Sequence, residues 1–97
     1  MSSNKSDEPQ NLVDLIDLIL SRMCRKLKGS KEILYNACTE MESFGINPDK
    51  PKPDKVMLLI RYAKRLKDKD GNLVFSEKEI AQYIVYLRKF SGENDDD

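Results

Sequence analysis

A sixteen-residue stretch near the N-terminus, Leu12–Leu27, with the sequence LVDLIDLILSRMCRKL, decides the fold class. Its apolar side chains recur at three- and four-residue steps, at positions 12, 16, 19, 20, 23, 24 and 27. This spacing is typical of an amphipathic helix with one buried face. Pro9 suits the first turn of this helix, and Gly29 supplies a left-handed stop after it.

The helical spacing recurs three more times along the chain. A second helix is capped by Ser30 and ends at Gly45. A stiff loop with three prolines, residues 46–53, leads to a third helix that begins at residue 53 or 54. The fourth helix opens at the S-x-x-E capping box Ser76–Glu79. Four helices with short connections predict an all-α fold, an antiparallel four-helix bundle.

The chain is predicted to form one domain with polar ends, because 97 residues are too few for two independent cores. Residues 1–8 are a disordered lead, residues 9–92 form the bundle domain, and residues 93–97 are a disordered acidic tail. The last helix is expected to break at Ser91-Gly92. The first ten residues lack the apolar run of a secretory signal, and Leu12–Leu20, interrupted by two aspartates, is too short to span a membrane. We therefore expect a cytoplasmic protein that is able to associate with the inner membrane face.

The composition argues against several classes of function. The chain has no His, which excludes Ser-His-Asp and Cys-His catalysis and His-ligated zinc, so we expect no enzyme and no cofactor. Lys+Arg and Asp+Glu both count 17, and this balance argues against non-specific nucleic-acid coating. Cys24 and Cys38 each lie in a helical pattern and are expected to be small buried residues without a disulfide.

The turn before the fourth helix resembles a calcium-binding EF-hand loop. Oxygen-bearing side chains occupy positions one, three, five, nine and twelve of such a loop, and a helix flanks each side. Position six, which requires Gly for a sharp turn, is Leu73. The alternative, which we favour, is a plain helix–turn–helix connector. The candidate calcium ligands are Asp68, Asp70, Asn72, Ser76 and Glu79.

A basic stripe on the third helix is a candidate binding site for an anionic partner, which would be a phosphate, a lipid headgroup or an acidic protein loop. The alternative, which we again favour, is a solvated helix face. A nucleic-acid-binding adaptor is a further alternative, disfavoured because no aromatic side chain interleaves the stripe. Tyr86 falls off the apolar stripe of the fourth helix and would be a contact residue if exposed. The stripe consists of Arg61, Lys64, Arg65, Lys67 and Lys69.

The order of these features resembles the immunity proteins of pediocin-like (class IIa) bacteriocins, of the enterocin A immunity type. The resemblance covers residues 11–92. It lies in a first helix ending Arg-Lys-Leu-Lys-Gly-Ser, a proline-containing loop, the third-helix segment VMLLIRY at 56–62, and a short apolar step ending in Phe75-Ser76 before a Lys/Glu-rich helix. The acidic run after Gly92 departs from the family, whose members often have an ordered extension there.

The resemblance implies a cytosolic, non-enzymatic antiparallel bundle that protects a bacteriocin producer from its own peptide. Such proteins act from the inner membrane face on the mannose permease, which the peptide uses as its receptor. In the family, the C-terminal half carries selectivity for the cognate peptide. Transferred to this chain, the resemblance implies partner-binding residues on the third and fourth helices, namely Arg61, Lys64, Arg65, Tyr86, Arg88, Lys89 and Phe90.

Overall fold

The computed structural model describes residues 8–91, which form four α-helices. The helices are α1 (Leu12–Lys26), α2 (Lys31–Glu42), α3 (Pro53–Arg65) and α4 (Glu77–Ser91). The predicted all-α class and the predicted helix order are confirmed. The acidic tail, Gly92 and all but the last residue of the predicted lead lie outside the described residues.

The helix ends differ in detail from the predicted ones. The Asn11 side chain caps α1 by accepting a hydrogen bond from the Asp14 N–H at 2.9 Å, so the helix begins at Leu12 and the prediction that Pro9 lies in its first turn is wrong. The predicted left-handed stop at Gly29 is also wrong, because α1 has already ended at Lys26. Within residues 8–91, positive φ angles are confined to Gly45 and Gly71. Helix α4 includes Ser91, where a break was predicted.

Contacts between side chains show that neighbouring helices run antiparallel. Arg22 of α1 contacts Tyr83 of α4, and Lys26, one turn further along α1, contacts Glu79, one turn back along α4. The end of α3 at Lys64 shares a groove with the start of α4. The start of α3 meets the end of α4 at a depression lined by Pro53, Met57, Arg88 and Ser91. The start of α1 and the end of α2 line a third groove, with Ile16, Leu20 and Met41.

The core lies mainly between α1, α3 and α4. Helix α1 buries Leu15, Ile19 and Met23, and α4 buries Ile80, Tyr83 and Leu87. Helix α3 buries Val56, Leu59, Ile60 and Ala63, whereas α2 buries Ala37 alone among its twelve residues. The connector between α3 and α4 adds Leu66, Val74 and Phe75.

The two cysteines are exposed, so the prediction that they are buried is wrong. Cys24 falls on the solvent side of α1, whose buried line runs through positions 15, 19 and 23. Cys38 lies on α2, where Ala37 is the one fully buried residue and Ile33, Leu34 and Met41 pack partly against the core. Apolar residues surround most of α1, and helical spacing therefore did not indicate which of them face inwards.

Candidate functional site

The turn that resembles an EF-hand loop is held by hydrogen bonds from its backbone to the Asp68 side chain and by one backbone–backbone bond. Asp68 Oδ1 accepts hydrogen bonds from the N–H groups of Asp70 at 2.9 Å and Asn72 at 3.0 Å. Gly71 has a φ of 86°, the left-handed geometry that glycine adopts without strain. The Asp68 N–H donates to the Asn72 carbonyl at 2.9 Å and closes the turn. These bonds are compatible with the helix–turn–helix connector that was favoured from the sequence.

Glu79, the last candidate calcium ligand, serves instead in the predicted capping box. Its Oε1 accepts from the Ser76 N–H at 2.9 Å, and the Ser76 hydroxyl accepts from the Glu79 N–H at 3.2 Å. Within residues 8–91, Asp68, Asp70 and Glu79 are not brought together as a group that could hold a metal ion. The calcium-binding alternative stays a prediction.

Glu79 also joins α4 to α1 in a cluster that the sequence analysis missed. Its Oε2 lies 3.1 Å from Lys26 Nζ and 3.9 Å from Arg22 Nη1. Arg22 Nη1 also donates to the Tyr83 hydroxyl at 3.2 Å, and the Tyr83 ring packs edge-on against Phe75 with centroids 5.8 Å apart. We call these five residues the α1–α4 junction. The only sequence signal was the four-residue spacing of Arg22 and Lys26, which places both on one side of α1.

The junction shifts the pKa values of two of its groups. Burial acts to raise the pKa of Glu79, but the hydrogen bond from the Ser76 N–H and the charges of Lys26 and Arg22 outweigh it, so the pKa lies below its ordinary value. Burial raises the pKa of Tyr83 above its ordinary value, although the bond from Arg22 acts in the opposite direction. Glu79 is therefore held as a carboxylate and Tyr83 as a neutral phenol at neutral pH.

The predicted basic residues of α3 are all exposed. Arg61 and Lys64 are three residues apart and share the side of α3 that borders α4, where Lys64 lines the groove with Ile84. Arg65 follows at the end of α3 and points further outwards by helical spacing. The ion pairs found among residues 8–91 are both made by Glu79, so Arg61, Lys64 and Arg65 have no acidic partner within 4.0 Å there.

The predicted residues of α4 divide between two sides of that helix. Arg88 lies on the side that borders α3, next to Met57. Tyr86 and Phe90 lie on the other side, where their rings stack with centroids 6.0 Å apart and an interplanar angle of 4°. Both are half-buried, so Tyr86 is not the fully exposed residue that was considered. Lys89 is exposed and follows Tyr86 by three residues. We call Tyr86 and Phe90 the aromatic pair.

Three apolar residues join the basic residues that border the α3–α4 groove. Arg88 lies one helical turn after both Ile84 and Val85, so it neighbours each of them on the surface of α4. Leu73, from the connector, lines the same groove as Lys64 and Ile84. The sequence analysis described Leu73, Val74 and Phe75 only as a short apolar step before the fourth helix and predicted no site there. We call the following six residues the α3–α4 face: Arg61, Lys64, Leu73, Ile84, Val85 and Arg88.

Charge is distributed unevenly between the two halves of the described chain. Residues 8–52 carry seven basic and seven acidic side chains, whereas residues 53–91 carry nine basic and five acidic ones. The excess positive charge of the described chain therefore lies in α3, α4 and their connector. Within the same residues, no helix combines the length and the apolar character that crossing a membrane requires.

Comparison with known proteins returns no match to this chain, whether among family models, curated proteins or solved structures. The resemblance to bacteriocin immunity proteins therefore stays a prediction.

Proposed function

We propose that the chain is a bacteriocin immunity protein that protects the producing cell without catalysing a reaction. It acts in the cytosol, where it binds the complex of a pediocin-like peptide with its mannose permease receptor and blocks the pore. The four-helix order and the antiparallel neighbours agree with the architecture that the resemblance implies, and this agreement supports the proposal.

The aromatic pair is the observation that carries this proposal. Tyr86 and Phe90 form a stacked platform near the end of α4 that packs partly against the core and is partly accessible to a partner. Aromatic side chains supply a large contact area with little loss of rotamer freedom, and the Tyr hydroxyl adds a hydrogen-bonding group. Tyr is among the residues that most often dominate the binding energy of protein interfaces.

Exposed charges border this platform. Lys89 lies next to it on the outer side of α4, and Arg88 follows on the side towards α3. Charges at the rim of an interface raise the association rate and orient the partner more than they increase affinity. The aromatic pair would therefore set the lifetime of the complex, and the two cations would set the rate at which it forms.

Protection of a sensitive bacterium tests the proposal directly. Cells that express the wild-type chain should survive at least one pediocin-like peptide at a concentration that kills cells without it. The double variant Tyr86→Ala, Phe90→Ala should lose most of this protection, because one interface aromatic contributes about 2 kcal/mol or more. Tyr35→Ala is the matched control, since Tyr35 is 72% exposed on α2, away from the platform.

Two measurements separate loss of binding from loss of folding. Circular dichroism melting of each purified variant shows whether the helices persist. Lys89→Glu changes an exposed rim charge and leaves the core intact, so it should fold normally and weaken protection. Unchanged killing by every pediocin-like peptide tried contradicts the proposed function. Full protection by a folded Tyr86→Ala, Phe90→Ala variant contradicts the role of the aromatic pair.

A further inference from the structure

We propose that the α3–α4 face binds the surface of a bilayer that contains anionic phospholipid. This inference does not depend on the proposed immunity function. It concerns the side of α4 that borders α3, whereas the aromatic pair lies on the other side.

Three cations give the face its charge. Arg61, Lys64 and Arg88 are exposed and, among residues 8–91, have no acidic partner within 4.0 Å. Lys64 borders the start of α4 and Arg88 borders the start of α3, so the cations are spread along the length of the two antiparallel helices. Lys and Arg side chains near an anionic membrane surface are attracted to its headgroups, and their long stems allow each charge to reach one.

Aliphatic side chains lie between these cations. Leu73 is 54% exposed and Val85 is 58% exposed, and Ile84 is half-buried beside them. Exposed aliphatic residues interleaved with cations are the pattern of a surface that lies in the membrane interface, with its apolar groups inserted at the boundary of headgroups and acyl chains. Leu73 at one end of the groove and Val85 on α4 would make this insertion.

The chemistry of the face favours a lipid surface over a specific protein partner. Its apolar members are aliphatic, and the groove between the helices is shallow, with a volume of about 330 Å³. A protein hot spot usually places an aromatic or Arg anchor in a well-packed pocket, whereas a fluid bilayer surface requires only charge and accessible apolar groups. Glu77 lines one end of the groove and Asp54 lies near the other, so binding should be reversible and sensitive to salt.

Vesicle co-sedimentation with the full chain tests the inference without any permease or peptide. Wild type should bind phosphatidylglycerol-containing vesicles at about 50 mM salt, and binding to pure phosphatidylcholine vesicles should be far weaker. Raising the salt to about 0.5 M should release it, because the screening length falls well below 10 Å. Equal binding to both vesicle types, or none to either, would overturn the inference.

Neutralising the three cations tests whether the α3–α4 face is the surface that binds the vesicle. The triple variant Arg61→Gln, Lys64→Gln, Arg88→Gln should lower the partition coefficient about a hundredfold, since each cation contributes about fivefold. The matched control neutralises three exposed lysines outside the face and carries the same net charge: Lys28→Gln, Lys31→Gln, Lys50→Gln. The control should retain most of the binding. An equal loss in both variants would show attraction by overall charge alone and would overturn the assignment of the face.

A matched pair of valine substitutions tests how much the exposed apolar side chains contribute to vesicle binding. Val85→Ser should reduce vesicle binding several-fold, whereas Val13→Ser, at a site on α1 that is 36% exposed, should not. Equal effects would overturn the role of Val85.

A second copy of the chain is the other partner that could cover the α3–α4 face. Size-exclusion chromatography of the same samples tests for it. A wild-type dimer that Val85→Ser converts to a monomer would make the face a self-association surface and would contradict lipid binding. These assays contain vesicles only. Vesicle binding can therefore be absent while protection of cells persists, and protection can be absent while vesicle binding persists.

Discussion

Helix α4 buries Ile80, Tyr83 and Leu87, whereas α2 buries only Ala37 among its twelve residues. Helix α4 is also capped by the Ser76 side chain and joined to α1 by charged groups. The prediction that Ser30 caps α2 is wrong, because its side chain makes no capping hydrogen bond. Both segments have an amphipathic sequence. The comparison shows that helical periodicity predicts whether a helix forms. It does not predict how firmly the helix packs, because packing depends on the side chains of the neighbouring helices.

The difference in packing between α2 and α4 bears on the proposed function. Helices α3 and α4 carry the excess positive charge, the aromatic pair and the α3–α4 face, and they also form the best-packed part of the bundle. A firmly packed scaffold holds binding side chains in place, which lowers the entropy lost on binding. Matched substitutions in α2 and α4 test whether the two helices differ in this way.

The largest expected effect comes from removing the same side chain from each helix. Leu87 of α4 is 4% exposed, so Leu87→Ala should lower the free energy of unfolding by about 2–5 kcal/mol. Leu34 of α2 is only half-buried, so Leu34→Ala should cost about 1 kcal/mol. Urea denaturation followed by circular dichroism measures both. Equal losses would show that α2 docks as firmly as α4.

The next effect concerns the serine that immediately precedes each of the two helices, Ser76 before α4 and Ser30 before α2. Ser76→Ala should cost about 1 kcal/mol, because the hydroxyl satisfies the Glu79 N–H and the reciprocal bond holds the Ser76 N–H. Ser30→Ala should cost less than about 0.5 kcal/mol, because the Ser30 side chain caps nothing. Thermal melting of the two variants under the same conditions compares them. A larger loss at Ser30 would contradict the proposed difference in capping.

The smallest effect is a pH dependence at the α1–α4 junction. The folded state lowers the pKa of Glu79. The stability that the Glu79 carboxylate adds to the folded state is therefore fully present above the unfolded-state pKa, and it is lost as the pH falls through the folded-state pKa. Glu79→Gln removes this contribution, which is worth about 1 kcal/mol or less for a partly exposed pair. The stability advantage of wild type over Glu79→Gln should therefore shrink as the pH falls from 7 to 3.

Urea denaturation at several pH values measures that advantage. Glu42→Gln is the control in α2, since Glu42 is exposed and makes no ion pair with another described residue within 4.0 Å. It removes one carboxylate without touching the junction. If the difference in the free energy of unfolding between wild type and Glu79→Gln stays constant from pH 7 to pH 3, the role of Glu79 is contradicted.

Local signals predicted much of the fold. The capping box at Ser76 and Glu79, the proline-rich loop before α3 and the turn at Gly71 were all readable, because each depends on residues within about four positions of one another. The same reasoning placed the basic residues of α3 at the surface. It erred at Cys24 and Cys38, where burial was inferred from a stripe that covers too much of the helix to have a unique inner side.

The amino-acid sequence was enough to predict four amphipathic helices, their order, the capping box of α4 and the exposed cations of α3, because these follow from backbone geometry and nearby side chains. The contacts between residues on different helices depend on the tertiary structure. It brought Arg22 to Tyr83, 61 residues away, and joined Lys26 to Glu79. It also separated the aromatic pair from the cations that border α3. Such contacts depend on how the helices rotate and pack against a shared core, which helical spacing alone does not specify.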